Sequence, residues 1–299
     1  MMTRVCVLLS TFNGEKYIKE QLCSLLEQED VDITILIRDD GSKDNTIQII
    51  NQIKDNRIYL YSGDNIGPAN SFMDLIYKSP EADYYAFCDQ DDIWMPNKLQ
   101  AAIHEIEKIE NVECKRMFYF SNVLIADANL DNVTKSDICQ DFINIKQRLL
   151  HNCAIGCTSV FNKNLRNKVK EYNPNYIFMH DWWVYLVCLA TNGEIIFDSN
   201  AYVYYRQHDN NAVGFQHKHR SLKQKIFIKP ECEPKIMAHE LLCGYSEQMN
   251  RENYESVYIL ANYTNDIKCK VKLLKDKGFY QGTKREIFWE KIAIMRNRK

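Results

Sequence analysis

Along the first third of the chain, two hydrophobic rhythms take turns. Arg4 to Thr11, Ile33 to Arg38, Arg57 to Tyr61 and Asp83 to Cys88 are short apolar runs rich in β-branched or aromatic residues. Each is closed by a polar turn: Asn13-Gly14, Asp39-Asp40-Gly41-Ser42, Ser62-Gly63-Asp64-Asn65 and Asp89-Gln90-Asp91-Asp92. Between them, Glu15 to Gln28, Asp44 to Ile53 and Ser71 to Lys78 space their apolar residues for one helix face, as Ile18, Leu22, Leu25 and Leu26 do. Asn97 to Glu110 repeats the helical spacing after Pro96. Strand, helix, strand, helix in this order predicts a parallel sheet covered on both faces. Ligands of such sheets bind in the crevice at the carboxyl ends of the strands. Ser10-Thr11, Asp39-Asp40 and Asp89 to Asp91 all fall at those ends, so three polar clusters are predicted to share one rim.

From about Phe118 the pattern loosens. Met117 to Ile125 reads as a strand, Asp127 to Asp141 as a polar loop, and Ser159 to Phe161 as a short apolar segment after Gly156. His180 to Leu189 reads as a helix with two tryptophans at its mouth, and Glu194 to Tyr205 as a strand. From Leu222 onward helices alternate with breaks at Pro230, Pro234 and Gly278. There is no internal repeat.

Composition narrows the class. The chain has 299 residues, 45% of them hydrophobic, enough for a sizeable core. Its 38 Lys+Arg against 40 Asp+Glu exclude a globally basic nucleic-acid binder, and no nucleic-acid partner is expected. No apolar run approaches the roughly 18–20 residues of a spanning helix, and the opening residues lack a secretory signal. The 11 cysteines are odd in number, scattered and without a CxxC pair, which reads as a reducing compartment. A soluble, cytoplasmic protein is therefore expected. Charge is unevenly spread: 266–299 carries eleven basic against four acidic residues, a local +7, and the preceding 265 residues carry −9.

There is no GxGxxG, no GxxxxGK[ST] and no GxSxG, so the commonest α/β cofactor and nucleophile signatures are missing. Asp89-Gln90-Asp91-Asp92 offers carboxylates at i and i+2 on a strand end, a pattern that suits a hard cation such as Mg²⁺ or Mn²⁺. An acidic loop with an N-cap is the plainer alternative, and the rim position favours metal. Asp39-Asp40-Gly41-Ser42 satisfies an ordinary turn and helix start, and on the same rim Asp40 is placed to accept an imide N–H from uracil or thymine.

These segments, taken together, resemble the inverting family 2 glycosyltransferases. The resemblance rests on Val-Leu-Leu-Ser-Thr-Phe-Asn-Gly-Glu-Lys-Tyr-Ile at 7–18, Arg-Asp-Asp-Gly-Ser-Lys-Asp-Asn-Thr at 38–46 and Asn-Ile-Gly at 65–67. It continues in Asp-Gln-Asp-Asp-Ile-Trp-Met-Pro at 89–96, similar to that family's DxD segment, in Gly156-Cys157-Thr158, in His-Asp-Trp-Trp at 180–183 and in Tyr-Arg-Gln-His at 205–208. The last features look most like the bacterial rhamnosyltransferase-type branch. The resemblance implies an α/β GT-A fold, a Rossmann-like mixed sheet flanked by helices, with a helical C-terminal extension. Residues 1–214 would form the glycosyltransferase domain, with a nucleotide-binding half to about 96 and an acceptor half from about 97, and 215–299 a basic helical region. Thr11, Asn13, Asp40, Asp89 and Gln90 would line the nucleotide pocket. Asp89, Asp91 and His208 would hold Mn²⁺ or Mg²⁺, and Asp181 would be the general base. Where this chain has His180-Asp181 the family often has Glu-Asp, so the carboxylate is kept and its neighbour's charge is lost.

The residues themselves agree on Asp181. It opens a helix, where a cap is the ordinary role, but Trp182 and Trp183 beside it are rings of the kind that stack on sugars. Together with Trp94 they are the expected sugar or acceptor contacts. His208 alone is more often structural than a ligand, and His217 and His219 make a weak HxH. The expected reaction is inverting, metal-dependent transfer of a sugar from a nucleoside diphosphate-sugar, dTDP-rhamnose or a UDP-hexose, to a glycan hydroxyl. A nucleotidyltransferase of similar fold and a non-catalytic carbohydrate-binding protein are the alternatives. Lys268, Lys270, Lys272 and Lys275, with Ile287, Phe288, Trp289, Ile292 and Ile294, resemble an interfacial helix and suggest a peripheral membrane contact through 266–299. A solvated face closing the domain, or a homodimer contact, would use the same residues.

Overall fold

The computed structural model describes residues 2–138, 144–208 and 233–297. Four strands, β1 (Thr3–Thr11), β2 (Val31–Asp39), β3 (Ile58–Ser62) and β4 (Tyr84–Cys88), lie side by side in parallel in the order β3-β2-β1-β4. They are linked by α1 (Ile18–Leu26), α2 (Thr46–Gln52) and α3 (Pro68–Lys78). α3 starts three residues earlier than its apolar spacing predicts. Gly67, at φ 80, turns the chain, and Pro68 occupies the first helical turn, where its missing N–H costs nothing.

Beyond β4 the sheet ceases to be purely parallel. Next come β5 (Ile93–Trp94), α4 (Lys98–Glu107), β6 (Met117–Ala126), β7 (Thr134–Lys135), α5 (Ile145–Leu150), β8 (Val160–Asn162), α6 (Lys163–Lys170), α7 (His180–Ala190) and β9 (Glu194–Arg206). The sheet continues β4-β8-β6-β9-β5, with β8 antiparallel to both β4 and β6, and β9 parallel to β6. The two-residue β5 pairs antiparallel with β9, which ties the segment after the Asp89 turn to the far end of the sheet. Strands and helices this short carry too few residues to show a period, which is why β5, α5 and α6 had no signature in the sequence.

Alternation within each strand feeds two cores, as a period of two requires. Val5, Val7 and Leu9 of β1 and Ile33, Ile35 and Ile37 of β2 point to one face, with α1 and α4. Cys6 and Leu8 of β1, Tyr85 and Phe87 of β4 and Phe118 and Phe120 of β6 point to the other, with α3 and α7. All eleven residues of α7 are buried, as expected of a helix apolar all round.

The C-terminal helices α8 (Glu233–Tyr245), α9 (Arg251–Asn262), α10 (Ile267–Lys275) and α11 (Lys284–Met295) close over this second core. Met237, Leu241, Leu260, Leu273 and Ile294 pack into the same cluster as α7. The expected boundary at 214, together with His217, His219 and Pro230, lies outside the described residues.

Candidate active site

The parallel register aligns the polar strand ends. Thr11 pairs with Asp39 across β1 and β2, and Leu9 pairs with Cys88 across β1 and β4. The rim expected from the sequence is therefore present, and its residues are tied to one another. The Thr11 hydroxyl donates to Gln90 Oε1 at 2.6 Å, and the Gln90 side-chain amide donates to the Phe12 carbonyl at 3.1 Å. Gln90 thus clamps the Asp89 turn to the end of β1. A Cβ on Gly14 would sit 2.3 Å from Gln90 Oε1, so only glycine leaves room for this clamp. Asn13, at φ 49, accepts from the Lys43 amide at 2.8 Å and donates its own backbone N–H to Ser42 at 2.9 Å, which joins the β1 and β2 turns.

The structure separates the two adjacent aspartates at the end of β2. Asp40 is 2% exposed and engaged: it pairs with Arg38 and accepts from the Ile66 and Gly67 amides at 3.0 and 2.9 Å. Arg38 is held in turn by Asp74 at 3.0 Å, the Asp64 carbonyl at 2.9 Å and Ser71 at 3.2 Å. Asp40 therefore fastens the 63–67 turn, which already takes three of its acceptor positions. Asp39 is different. Its Oδ2 accepts from the Gly41 and Ser42 amides, whereas its Oδ1 is buried with no hydrogen-bond partner among the described residues. A buried acceptor without a partner is costly, which marks Asp39 as the carboxylate waiting for a donor.

The acidic turn gathers charge. Asp89 is partly exposed, and burial, with the charges of Asp91 and Asp181, pushes its carboxyl up to about 7. Asp91 lies 2.8 Å from His208 Nε2. The β9 end holds this arrangement: Arg206 Nε donates to the Asp91 carbonyl at 2.9 Å, its backbone N–H to Asp92 at 3.1 Å, and its far nitrogen to Glu20 at 2.6 Å. Tyr17 lies against both side chains, stacked on His208 at 5.0 Å and beneath the Arg206 guanidinium at 4.5 Å. Arg206 and Tyr17 were inside the quoted motifs, but nothing local in the sequence assigned them this bracing role.

Among the described residues one inner cluster brings three potential ligands together. Asp89, Asp92 and Cys157 place one donor each within 4.8 Å of one another. The buried Lys98 is charge-coupled to Asp92 and Cys157 and held over the Trp94 ring at 3.3 Å; burial lowers its ammonium to about 7. A lysine there and a soft thiol both speak against a hard cation in the inner set. Of the expected set, Asp91 and His208 are in contact at 2.8 Å and Asp89 is near enough for the charge of Asp91 to raise it; two carboxylates and one imidazole are the chemistry that suits Mn²⁺ or Mg²⁺ better. The like charges that raise Asp89 are what a bound cation would relieve.

Asp181 enters from the other side of the sheet edge on the first turn of α7. It is 5% exposed, accepts from the Trp182 amide at 2.6 Å, and has the Asn152 side chain at 3.4 Å. Burial raises its carboxyl to about 6 against the hydrogen bonds that lower it. That value keeps it ionised and basic near neutral pH. His180 beside it stacks on Phe72 at 3.8 Å and edges Phe87 at 4.5 Å, and neither ring nitrogen has a hydrogen-bond partner among the described residues. Burial drops His180 to about 3, so it is neutral where a glutamate would bring a second charge. Gly156 faces both: a Cβ there would lie 3.3 Å from His180 Nε2 and 3.5 Å from Asp181 Oδ2.

The expected sugar-stacking tryptophans are corrected by the structure. Trp94, Trp182 and Trp183 are 2%, 5% and 0% exposed. The Trp182 indole N–H donates to the Arg148 carbonyl at 2.8 Å, and Trp183 packs near Tyr245. Adjacent tryptophans on a helix mouth read as a sugar platform, but α7 is enclosed on every side, so its apolar burial decides their fate. Phe12, just after β1, and Phe178, just before α7 and edge-on to Trp182, are exposed aromatics at 42% and 40%.

Comparison with known proteins bears on the family and the fold. The family model described as Glycosyl transferase family 2 matches residues 6–169. The chain is 33% identical over 223 residues to the dTDP-rhamnosyl transferase RfbG of Shigella flexneri, covering 69% of this chain and 73% of that protein. It is 26% identical over 193 residues to the UDP-Glc:alpha-D-GlcNAc-diphosphoundecaprenol beta-1,3-glucosyltransferase WfgD of Escherichia coli, covering 63% and 70%. In three dimensions it is similar to residues 1–349 of S. aureus TarS in complex with UDP-GlcNAc, with a TM-score of 0.59 at 18% identity over 97% of this chain and 81% of that one. The chain belongs to the family 2 glycosyltransferases and has their GT-A fold.

Proposed function

We propose that this glycosyltransferase moves a sugar, with inversion, from a nucleoside diphosphate-sugar to a hydroxyl of a growing surface polysaccharide or lipid-linked oligosaccharide. The donor is dTDP-rhamnose or a UDP-hexose, a choice supported by the names of the relatives in Shigella flexneri and Escherichia coli. One observation carries the reading: a buried carboxyl, Asp181, poised at about 6 and close enough to Asp89, at the rim of the sheet, for the two charges to be felt. Asp181 takes the proton of the acceptor hydroxyl as its oxygen forms the new bond to the anomeric carbon. The bond from that carbon to the diphosphate breaks on the opposite face, and the electron pair leaves with the diphosphate. A single displacement inverts the centre without a covalent enzyme intermediate.

Asp89, Asp91 and His208 would hold the divalent cation, which supplies charge neutralisation for the leaving diphosphate when bound. The unpartnered Oδ1 of Asp39 would accept the imide N–H of a pyrimidine base, in place of Asp40. Thr11, Asn13 and Gln90 shape the nucleotide side by bracing its turns, and Phe12 and Phe178 offer the open aromatic faces for sugar or acceptor. A lipid-linked acceptor would place the enzyme on the inner face of a membrane, and no helix among the described residues is long and apolar enough to cross one.

The test is direct. The purified protein is incubated with each donor and a diphospholipid-linked sugar acceptor, with Mn²⁺ or with EDTA, and the product's anomeric configuration is read by NMR. Inversion that EDTA abolishes is expected. A retained configuration, or full turnover in EDTA, would overturn the mechanism.

A further inference from the structure

We infer that the outer side of α10 and α11 is a docking face for an anionic lipid surface. α11 is apolar in two directions. Ile287 and Ile294 face the domain, while Phe288, Trp289 and Met295 remain 56%, 42% and 49% exposed. On α10, Cys269 and Leu273 go inward, while Ile267 and Val271, one turn apart, stay 71% and 40% exposed. Large apolar side chains left together on an outer face mark an interaction surface.

The charges around them say which partner fits. Lys268, Lys272, Lys275, Lys284 and Arg285 are exposed on the same two helices. The four acidic residues of the segment offset the eleven basic ones only in part, leaving +7, and each also has a local task. Asp266 caps α10 by accepting from the Lys268 amide at 2.7 Å, and Glu286 completes the capping box with Thr283. Asp276 pairs with Lys146 at 3.0 Å, and Glu290 is buried against His151 at 3.2 Å. The two helices therefore present an excess of exposed cations with exposed Trp, Phe and aliphatic side chains, the composition of a helix that lies in a headgroup layer. A second copy of this chain would bring the same cations to the contact, so self-association is disfavoured where anionic headgroups are attracted.

This inference goes beyond the transfer reaction, and it is scored without turnover, so the two readings stand or fall separately. The full-length protein is mixed with vesicles of phosphatidylcholine alone or containing phosphatidylglycerol. Sedimentation with the anionic vesicles only, released by salt, is expected. Of the 4 tryptophans, Trp94, Trp182 and Trp183 are buried, so the emission shift to the blue on binding should come from Trp289 and vanish in Trp289→Phe, which still sediments. Phe288→Ser with Trp289→Ser, and Lys268→Glu with Lys272→Glu and Lys275→Glu, should each weaken binding about tenfold or more while unfolding at the wild-type temperature. Absence of wild-type sedimentation with anionic vesicles, or equal binding by all variants, would overturn the inference. A dimer in light scattering that the same substitutions dissolve, without lipid binding, would assign the face to a second copy instead.

Discussion

His208 Nε2 lies 2.8 Å from the carboxylate of Asp91, a residue 117 positions earlier in the chain. The contact is made because β9 returns to β5 and delivers Arg206 against the backbone of the acidic turn. A carboxylate and an imidazole held together in this way form a preorganised pair of donors for a cation. The bracing by Tyr17 and Glu20 means that little rearrangement is needed when one arrives.

The first prediction follows from that pair. Thermal unfolding with UDP or dTDP should shift upward only with Mn²⁺ or Mg²⁺ present, because a ligand that binds the native state alone stabilises it by mass action. Asp91→Ala should abolish the metal-dependent part, and His208→Ala should reduce it. A metal-dependent shift of wild-type size in Asp91→Ala would remove that residue from the ligand set.

As the proposed base, Asp181 should set the acid limb of activity. With its carboxyl raised to about 6, the ionised form dominates at pH 7 and is lost as pH falls through that value. kcat should therefore drop toward tenfold per pH unit below the transition, and Asp181→Asn should lose about 10²–10⁴ in kcat with nucleotide binding unchanged. A flat profile from pH 5 to 7, or turnover in Asp181→Asn, counts against the base.

The neighbouring aspartates of β2 should respond in opposite ways. Asp40→Asn leaves the buried Arg38 guanidinium short of a charge and should cost about 3 kcal/mol or more in denaturant unfolding. Asp39→Asn keeps one oxygen for the Gly41 and Ser42 amides and turns the free acceptor into a donor. It should leave stability nearly intact and weaken nucleotide binding about tenfold.

His180→Phe preserves the stack on Phe72 and removes two buried nitrogens that lack partners. Stability should rise by about 1 kcal/mol, or between about 1 and 2 °C in Tm. Donor KM should also rise if those nitrogens meet the sugar; a Tm lower than wild type would show that the imidazole is satisfied in the native protein.

Gly156→Ala puts a methyl group 3.3 Å from His180 and 3.5 Å from Asp181. The expected result is a fall in kcat of about tenfold from displacing the base, with nucleotide binding preserved. Wild-type kcat would mean that the segment yields without moving Asp181.

The sequence alone was enough to lay out the parallel half of the sheet. Its strands and helices are long enough to show their periods, and parallel strands necessarily bring their carboxyl ends to one edge, so Thr11, Asp39 and Asp89 met where expected. It could not rank Asp39 against Asp40, because adjacent carboxylates share every local signal; the Arg38 side chain and the Ile66 and Gly67 amides, brought by a turn two dozen residues on, decided which one is satisfied. Nor could it place Trp94, Trp182 and Trp183, whose amphipathic rings suit a sugar face or a core equally well. Their burial came from the helices and strands that enclose them, since exposure is a property of packing between distant segments.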